Sequence, residues 1–368
     1  GNYTGTKSIT FEIGQADNPV KVTAKDLTYN TSSQALVTTS GAQGTICYSL
    51  DSVITSKCST STAIPTGTNA GTYTVYYYVN GTSNYKETSG SVIVTIKKYN
   101  ISNAVIGTIN DQTYTGNPIT PTPLVTASMP NSSVATLVNN KDYTYSYSNN
   151  TNAGTGTVTV TGIGNYTGTK SKTFNITKAT NPTVITANTL TYNAEAQTLV
   201  TSSKEQGYIC YSLSALPTSC TSNSDLPKGT NAGTYTVYYM VSESGNYNKK
   251  TGSVKVTIDQ YDISKGTLGS VSDQAYTGSA VKPTPSVTVP IPSGKTTTLV
   301  NNTDYTYSYS NNTSVGTGTV TVTGTGNYKG TKSTTFKITP KSSSCTITSV
   351  PTLKYPSSAT GSIQFKCT

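Results

Sequence analysis

Residues 142–176 read DYTYSYSNNTNAGTGTVTVTGIGNYTGTKSKTFNI. In an extended chain Tyr143, Tyr145 and Tyr147 share one face. Further on, Val158 and Val160 alternate with Thr157, Thr159 and Thr161. Alternation with a period of two describes a strand that buries one face and leaves the other to solvent. The NAG and GNY elements fall between these runs, where Asn and Gly supply turn geometry. No stretch of the chain carries a convincing helical period, so the segment reads as consecutive short strands joined by tight turns.

The same words recur along the chain. GNYTGTK begins at Gly1 and Gly164, SNYKET at Ser83, GNYNKK at Gly245 and GNYKGTK at Gly326, which puts the Asn at 2, 84, 165, 246 and 327. TNAGTYTV begins at Thr68 and Thr230, TNAGTGTV at Thr151 and TSVGTGTV at Thr313. An early-strand Tyr stands at 29, 114, 192, 276 and 355. Three markers therefore agree on a unit of about 81 residues, the signature of a repeat array. The Tyr spacing alternates between long and short, which separates two repeat types, A and B. The boundaries expected are 1–13 for the last strand of a B-type repeat, 14–97 for type A, 98–178 for type B, 179–258 for type A, 259–340 for type B, and 341–368 for the start of a further A-like repeat. The linkers are short, as in Lys97-Lys98-Tyr99-Asn100 and Thr177-Lys178-Ala179-Thr180.

Composition narrows the chemistry. The 368 residues include 120 Ser or Thr, 28 Tyr and no His or Trp, and all 25 basic residues are lysines. Without His there is no Ser-His-Asp or Cys-His machinery and no His metal site. Without Arg there is no bidentate fork for phosphate or guanine, and the lysines behind the net charge of +10 are scattered. The composition reads as non-enzymatic, with no cofactor and no nucleic-acid partner. Low hydrophobic content alone suits disorder, but abundant Tyr, Thr and Val favour strands instead. No stretch reads as a membrane-inserting segment. The six cysteines form three close pairs, Cys47 with Cys58, Cys210 with Cys220 and Cys345 with Cys367. Local pairs in even number point to disulfides and an oxidising compartment, whereas zinc would want C-x₂₋₄-C spacing and four ligands.

About seven short strands per 81 residues, with turns at regular spacing, predict an all-β tandem array of immunoglobulin-like β-sandwich domains of two alternating types. So small a sandwich buries a thin core, and the A-type disulfides compensate: a loop of about 12 residues is worth roughly 3 kcal/mol in the chain-entropy model. Asp111, Asp142, Asp273 and Asp304 recur at fixed offsets but sit in turn contexts, so no catalytic or metal residue is assigned. Eleven N-x-[ST] sequons, among them Asn30, Asn80, Asn131 and Asn175, match the number such a composition yields by chance. Tyr76, Tyr78 and Tyr238, opposite the buried strand face, and the Lys249–Lys250 pair are the candidates for surface binding. The competing reading packs these tyrosines against neighbouring strands or the next repeat.

The motifs NAGTYTV, GNYTGTKSKTFNI, DQTYTG and DYTYSYSNNTNAGTGTVTVTG resemble the tandem Ig-like repeats, MBG-type and related, of large bacterial cell-surface and adhesin proteins. The resemblance spans residues 1–340, and the disulfide of the A-type repeats departs from it. It implies extracellular, cell-surface stalks or adhesive fibres without catalysis. Tandem sandwiches with strands near 23 Å long would make a rod of about 100–150 Å. The function expected is a non-catalytic stalk or fibre segment whose partners are neighbouring repeats of the same polypeptide. Alternatives are modules that bind a host or environmental glycan or protein, and accessory repeats of a larger secreted enzyme. Head-to-tail self-assembly through an unpaired strand at 1–13 is a further expectation.

Overall fold

A computed structural model describes residues 1–352 and 362–367. The chain is an all-β tandem array of Ig-like sandwiches of two alternating types, and it groups into two compact units, Gly1–Ala179 and Thr180–Thr368. The only helical turns among the described residues are the 3₁₀ turns Ile101–Asn103 and Ile263–Lys265.

Within the first unit, the A-type repeat builds one layer from Leu27–Thr28, Thr88–Lys97, Gly71–Val79 and Ile46–Ser49, hydrogen-bonded in that order. The facing layer consists of Lys21–Ala24 paired with Val37–Ser40, and Gln34–Ala35 paired with Thr66–Gly67. The entering chain thus pairs first with one layer, antiparallel, and then with the other, where Leu27 lies parallel to Ile96. That switch ties the layers together at the edge. Leu36 and Val37 from one layer and Val75, Val94 and Ile96 from the other fill the core.

The B-type repeat follows the same plan. Gln112–Thr113, Thr169–Thr177, Gly154–Gly162 and Tyr143–Ser148 form a four-stranded layer. Val105–Ile106, Val125–Ser128 and Val134–Thr136 form a three-stranded one. Val158 and Val160 are fully buried, as their alternation with threonines predicts. Strand glycines have a packing cause: a Cβ on Gly156 would lie 2.6 Å from the Phe174 ring, and one on Gly90 would lie 2.6 Å from the Tyr77 hydroxyl. Each aromatic folds over the glycine opposite it in register.

The second unit repeats both plans. Its four-stranded layers are Leu190–Thr191, Lys250–Asp259, Gly233–Val241 and Ile209–Ser212, and Gln274–Ala275, Thr331–Thr339, Gly316–Gly324 and Tyr305–Ser310. Residues 1–13 form no strand, although they closely repeat 164–176. No strand pairs with them among the described residues, and Tyr3, Ile9, Phe11 and Ile13 stand exposed. Near the other end Cys345–Ser349 pairs with Gln364–Cys367. The LKYP segment with Tyr355 lies outside the described residues.

Candidate functional site

The three sequence markers, which are far apart along the chain, meet where an A-type repeat adjoins the B-type repeat after it. In the first unit Asn165, of the GNY element, accepts a hydrogen bond from the Ala70 amide of the NAG turn at 2.8 Å. The Asn165 amide donates to Asn69 Oδ1 at 3.1 Å. Next to it Tyr166, 2% exposed, meets the early-strand Tyr29 edge to face at 5.2 Å, and Tyr99 at 6.3 Å. The backbone fixes the same corner: Tyr99 donates its amide to the Asn165 carbonyl at 3.0 Å, and 166–167 runs parallel to 99–100. Across the joint Asn131 donates to the Asn30 carbonyl at 3.0 Å.

The second unit reproduces the joint with its own residues. Ala232 donates to Asn327 Oδ1 at 2.7 Å, Asn327 donates to Asn231 Oδ1 at 3.3 Å, and Tyr192 meets Tyr328 edge to face at 5.4 Å. An exposed ion pair, Lys295 to Glu195 at 2.9 Å, takes the place of the Asn131 contact. Edge-to-face aromatic pairs contribute about 0.5–1.5 kcal/mol beyond their buried area, and each net hydrogen bond about the same. Burial, followed by the neighbouring Tyr29 or Tyr192, pushes the Tyr166 and Tyr328 hydroxyls far above the ordinary tyrosine range.

A second tyrosine cluster braces each B-type repeat from within. Tyr143 donates to Tyr145, which donates to the Pro123 carbonyl, and Tyr147 donates to the Pro121 carbonyl at 2.9 Å. Tyr305, Tyr307 and Tyr309 repeat this against Pro285 and Pro283. Proline has no amide to enter a ladder, so the Pro-Thr-Pro segments are held by their carbonyls instead. Burial raises the Tyr145 and Tyr307 hydroxyls strongly.

The sequence-assigned cysteines are joined as Cys47–Cys58, Cys210–Cys220 and Cys345–Cys367. Tyr76, Tyr78 and Tyr238 are half-buried; Tyr76 and Tyr78 share one face of Gly71–Val79, and Tyr238 holds the place of Tyr76 on Gly233–Val241. A hydrogen bond with Glu87 holds the Tyr78 hydroxyl above the ordinary tyrosine range. Lys249 is exposed, but Lys250 turns inward, and its ammonium donates to the Thr183 carbonyl at 2.5 Å. Two of the aspartates have turn roles, Asp142 and Asp304 accepting the Val138 and Val300 amides, both at 2.8 Å, while Asp111 accepts from the distant Asn175 at 3.2 Å. Among the described residues no group of three or more His, Cys, Asp or Glu is placed to hold a metal ion, and no helix is long and apolar enough to cross a membrane. Of the sequon residues, Asn80 clamps Cys58 through both its amide and its carbonyl, at 2.9 and 2.8 Å.

No family profile and no curated protein sequence matches the chain. Among solved structures it is similar to the protocadherin gammaB7 EC3-6 cis-dimer, at 13% identity over 86% of this chain and 96% of that one, with a TM-score of 0.22. It is also similar to the N-terminal eight Ig domains of the Down Syndrome Cell Adhesion Molecule, at 10% identity over 96% of this chain and 60% of that one, with a TM-score of 0.23. A SusE-like surface-located polysaccharide-binding protein from Bacteroides thetaiotaomicron aligns at 11% identity over 87% of this chain and 72% of that one, with a TM-score of 0.17. Scores this low mean that the superposition as a whole is not shared. The functional argument therefore rests on this chain's own residues.

Proposed function

We propose that this chain is a non-catalytic extracellular spacer, a stalk or fibre segment of a large surface protein, in which an A-type repeat and the B-type repeat after it are locked as one building block. The observation that carries this is the joint. The residues that repeat most faithfully, Asn165 with Tyr166 and Asn327 with Tyr328, are spent on contacts between repeats. A binding module would be expected to show one repeat with a loop of its own. Three disulfides agree with an oxidising, extracellular setting. The MBG-type resemblance supports the same reading, and the boundaries 14–97, 98–178, 179–258 and 259–340 are the repeats it divides into.

The test is small-angle X-ray scattering of the full chain beside the Asn165→Ala/Asn327→Ala double variant. The spacer reading expects an extended particle whose spread of maximum dimension widens once the joints are cut. A compact particle, or one indifferent to both substitutions, refutes it.

A further inference from the structure

Each four-stranded layer ends on a strand whose outer edge is a row of backbone amides and carbonyls, a template for another strand unless something covers it. In the A-type repeats the cysteine loop is the cover. Ile46 donates its amide to Ser61 Oγ at 3.4 Å and Tyr48 to Thr62 Oγ1 at 2.8 Å, and the Thr62 amide returns to the Ile46 carbonyl at 3.1 Å. In the second A-type repeat Ile209 donates to Asn223 Oδ1 at 2.8 Å, Tyr211 to Ser224 Oγ at 2.9 Å and Ser224 to the Ile209 carbonyl at 3.0 Å. Cys47–Cys58 and Cys210–Cys220 tie each loop to the strand it covers.

The B-type repeats have no such loop, and Tyr143–Ser148 and Tyr305–Ser310 stand at the same edge. Neighbouring bonds fix which way their backbone groups point. The Asp142 carbonyl accepts the Ile163 amide at 2.9 Å, and Gly162, opposite Tyr143, donates its amide to Gly168 on the far side. Thr144, Ser146 and Ser148 therefore turn their backbone groups toward Gly154–Gly162, and Tyr143, Tyr145 and Tyr147 turn theirs outward. The Tyr143 carbonyl accepts the Asn140 amide at 2.7 Å. The second B-type repeat matches: Thr325 donates to the Asp304 carbonyl at 2.9 Å and Asn302 to that of Tyr305 at 2.8 Å. Among the described residues no hydrogen bond reaches the outward amide or carbonyl of Tyr145, Tyr147, Tyr307 or Tyr309.

We infer that this open edge pairs, antiparallel and about a two-fold axis, with the same edge of a second copy of the chain. The residues select that partner. Thr144-Tyr145-Ser146-Tyr147-Ser148 reads nearly the same in both directions, so an axis through Ser146 sets Tyr145 opposite Tyr147 of the partner subunit, and the reverse. Outward groups then meet outward groups, and each tyrosine pair exchanges both of its N–H···O bonds. The solvent-facing residues of the strand are hydroxyls, with no Lys, Pro or bulge to guard the edge. The strand is also ordered in advance, because the Tyr145 and Tyr147 hydroxyls are held by the Pro123 and Pro121 carbonyls. Tyr305–Ser310 has the same six residues, so either edge accepts either. The inference goes beyond the spacer reading and does not depend on it.

The test is crosslinking of the full chain. The axis makes Ser146 a non-hydrogen-bonded pair with itself, with Cα atoms about 4.5 Å apart, which a disulfide spans. Ser146→Cys and Ser308→Cys chains, mixed at about 0.2 mM with oxidised glutathione, should give dimers joined through positions 146 and 308, and Ser148→Cys, which faces Thr144, about tenfold less. In the ¹⁵N-labelled native chain, dilution from about 1 mM to about 0.02 mM should shift the Tyr145, Tyr147, Tyr307 and Tyr309 amides, as a pairing constant of about 0.1–1 mM for so small an interface requires, while the covered Ile46 and Tyr48 amides stay still. Ser146→Lys/Ser308→Lys sets like charges opposite each other and should weaken the association about fivefold, whereas Ser146→Ala/Ser308→Ala should not. Both positions are exposed, so these variants keep the fold. Three results overturn the proposal: no response of those four amides to dilution, crosslinking through 146 and 308 no greater than through 148, or an association that the lysine variant leaves unchanged.

Discussion

Replacing Asn165 by Ala removes two hydrogen bonds at once, to the Ala70 amide at 2.8 Å and to Asn69 Oδ1 at 3.1 Å. The backbone around position 165 keeps its own contact, since Tyr99 bonds the Asn165 carbonyl and not the side chain. Ala70 is half-buried, so its amide is left partly desolvated. Losing a bond and stranding a donor together cost about 2 kcal/mol, or roughly thirtyfold in a local opening equilibrium. Hydrogen exchange on the full chain reads that opening directly, residue by residue, and needs no two-state assumption for a multi-repeat protein. The Ala70 amide is expected to exchange about thirtyfold faster in Asn165→Ala, while Ala232, held by Asn327 in the second unit, keeps its native rate. Asn327→Ala reverses the pattern. Asn165→Asp keeps an acceptor for Ala70, and Asn69 can turn its own amide toward the new carboxylate, so protection returns. An Ala70 rate within about twofold of the native one would mean that the marker asparagines are turn formers only.

Four further outcomes follow from the same structure. Tyr48→Phe, which breaks the bond to Thr39, should lower the stability of its repeat by about 1 kcal/mol, whereas Tyr211→Phe should leave its repeat unchanged or steadier; denaturant midpoints compare them. Gly156→Ala drives a Cβ to 2.6 Å from Phe174 and displaces a core ring, so a loss of about 1–3 kcal/mol is expected in thermal unfolding. Removing Cys47–Cys58, a separation of 11 residues, should cost about 3 kcal/mol by loop closure, read from the unfolding of the reduced or Cys→Ala chain. The buried tyrosines set the alkaline limit. Tyr145, Tyr166, Tyr307 and Tyr328 are raised above the ordinary value of 10.0. A raised group holds its proton more tightly when folded, so its stabilisation is complete below pH 10 and declines as pH climbs above it. Absorbance near 295 nm should show these four ionising only as the chain unfolds; normal titration in the folded state would contradict their burial.

How much of this was legible depends on whether a property repeats locally. The sandwich was, because Val158 and Val160 alternate with threonines over a few residues, and a period of two needs no knowledge of the partner strand. The disulfides were, because each pair is close in sequence. The glycines opposite Phe174 and Tyr77 were not, since the need for a missing Cβ depends on the residue opposite in the ladder, which lies 13 to 18 positions away. The joint was half legible. NAG, GNY and the early-strand Tyr were visible as repeats but read as turns, because an isolated Asn beside Gly has that use everywhere. What the sequence could not show is that Asn165 and Ala70, 95 residues apart, occupy one corner. Lys250 failed for a related reason. A Lys-Lys pair looks solvated in one dimension, yet Lys250, where the strand Lys250–Asp259 begins, turns back toward the carbonyls of Asn181 and Thr183. The markers themselves held the missing signal. A turn needs Asn or Gly but does not need Asn-Tyr at 84, 165, 246 and 327 with the same two residues each time. Constancy beyond what the local backbone demands is evidence for a contact outside the local backbone. In the B-type repeats that contact is with the A-type repeat before them, whereas at 84 the same pair meets Ala16 of its own repeat.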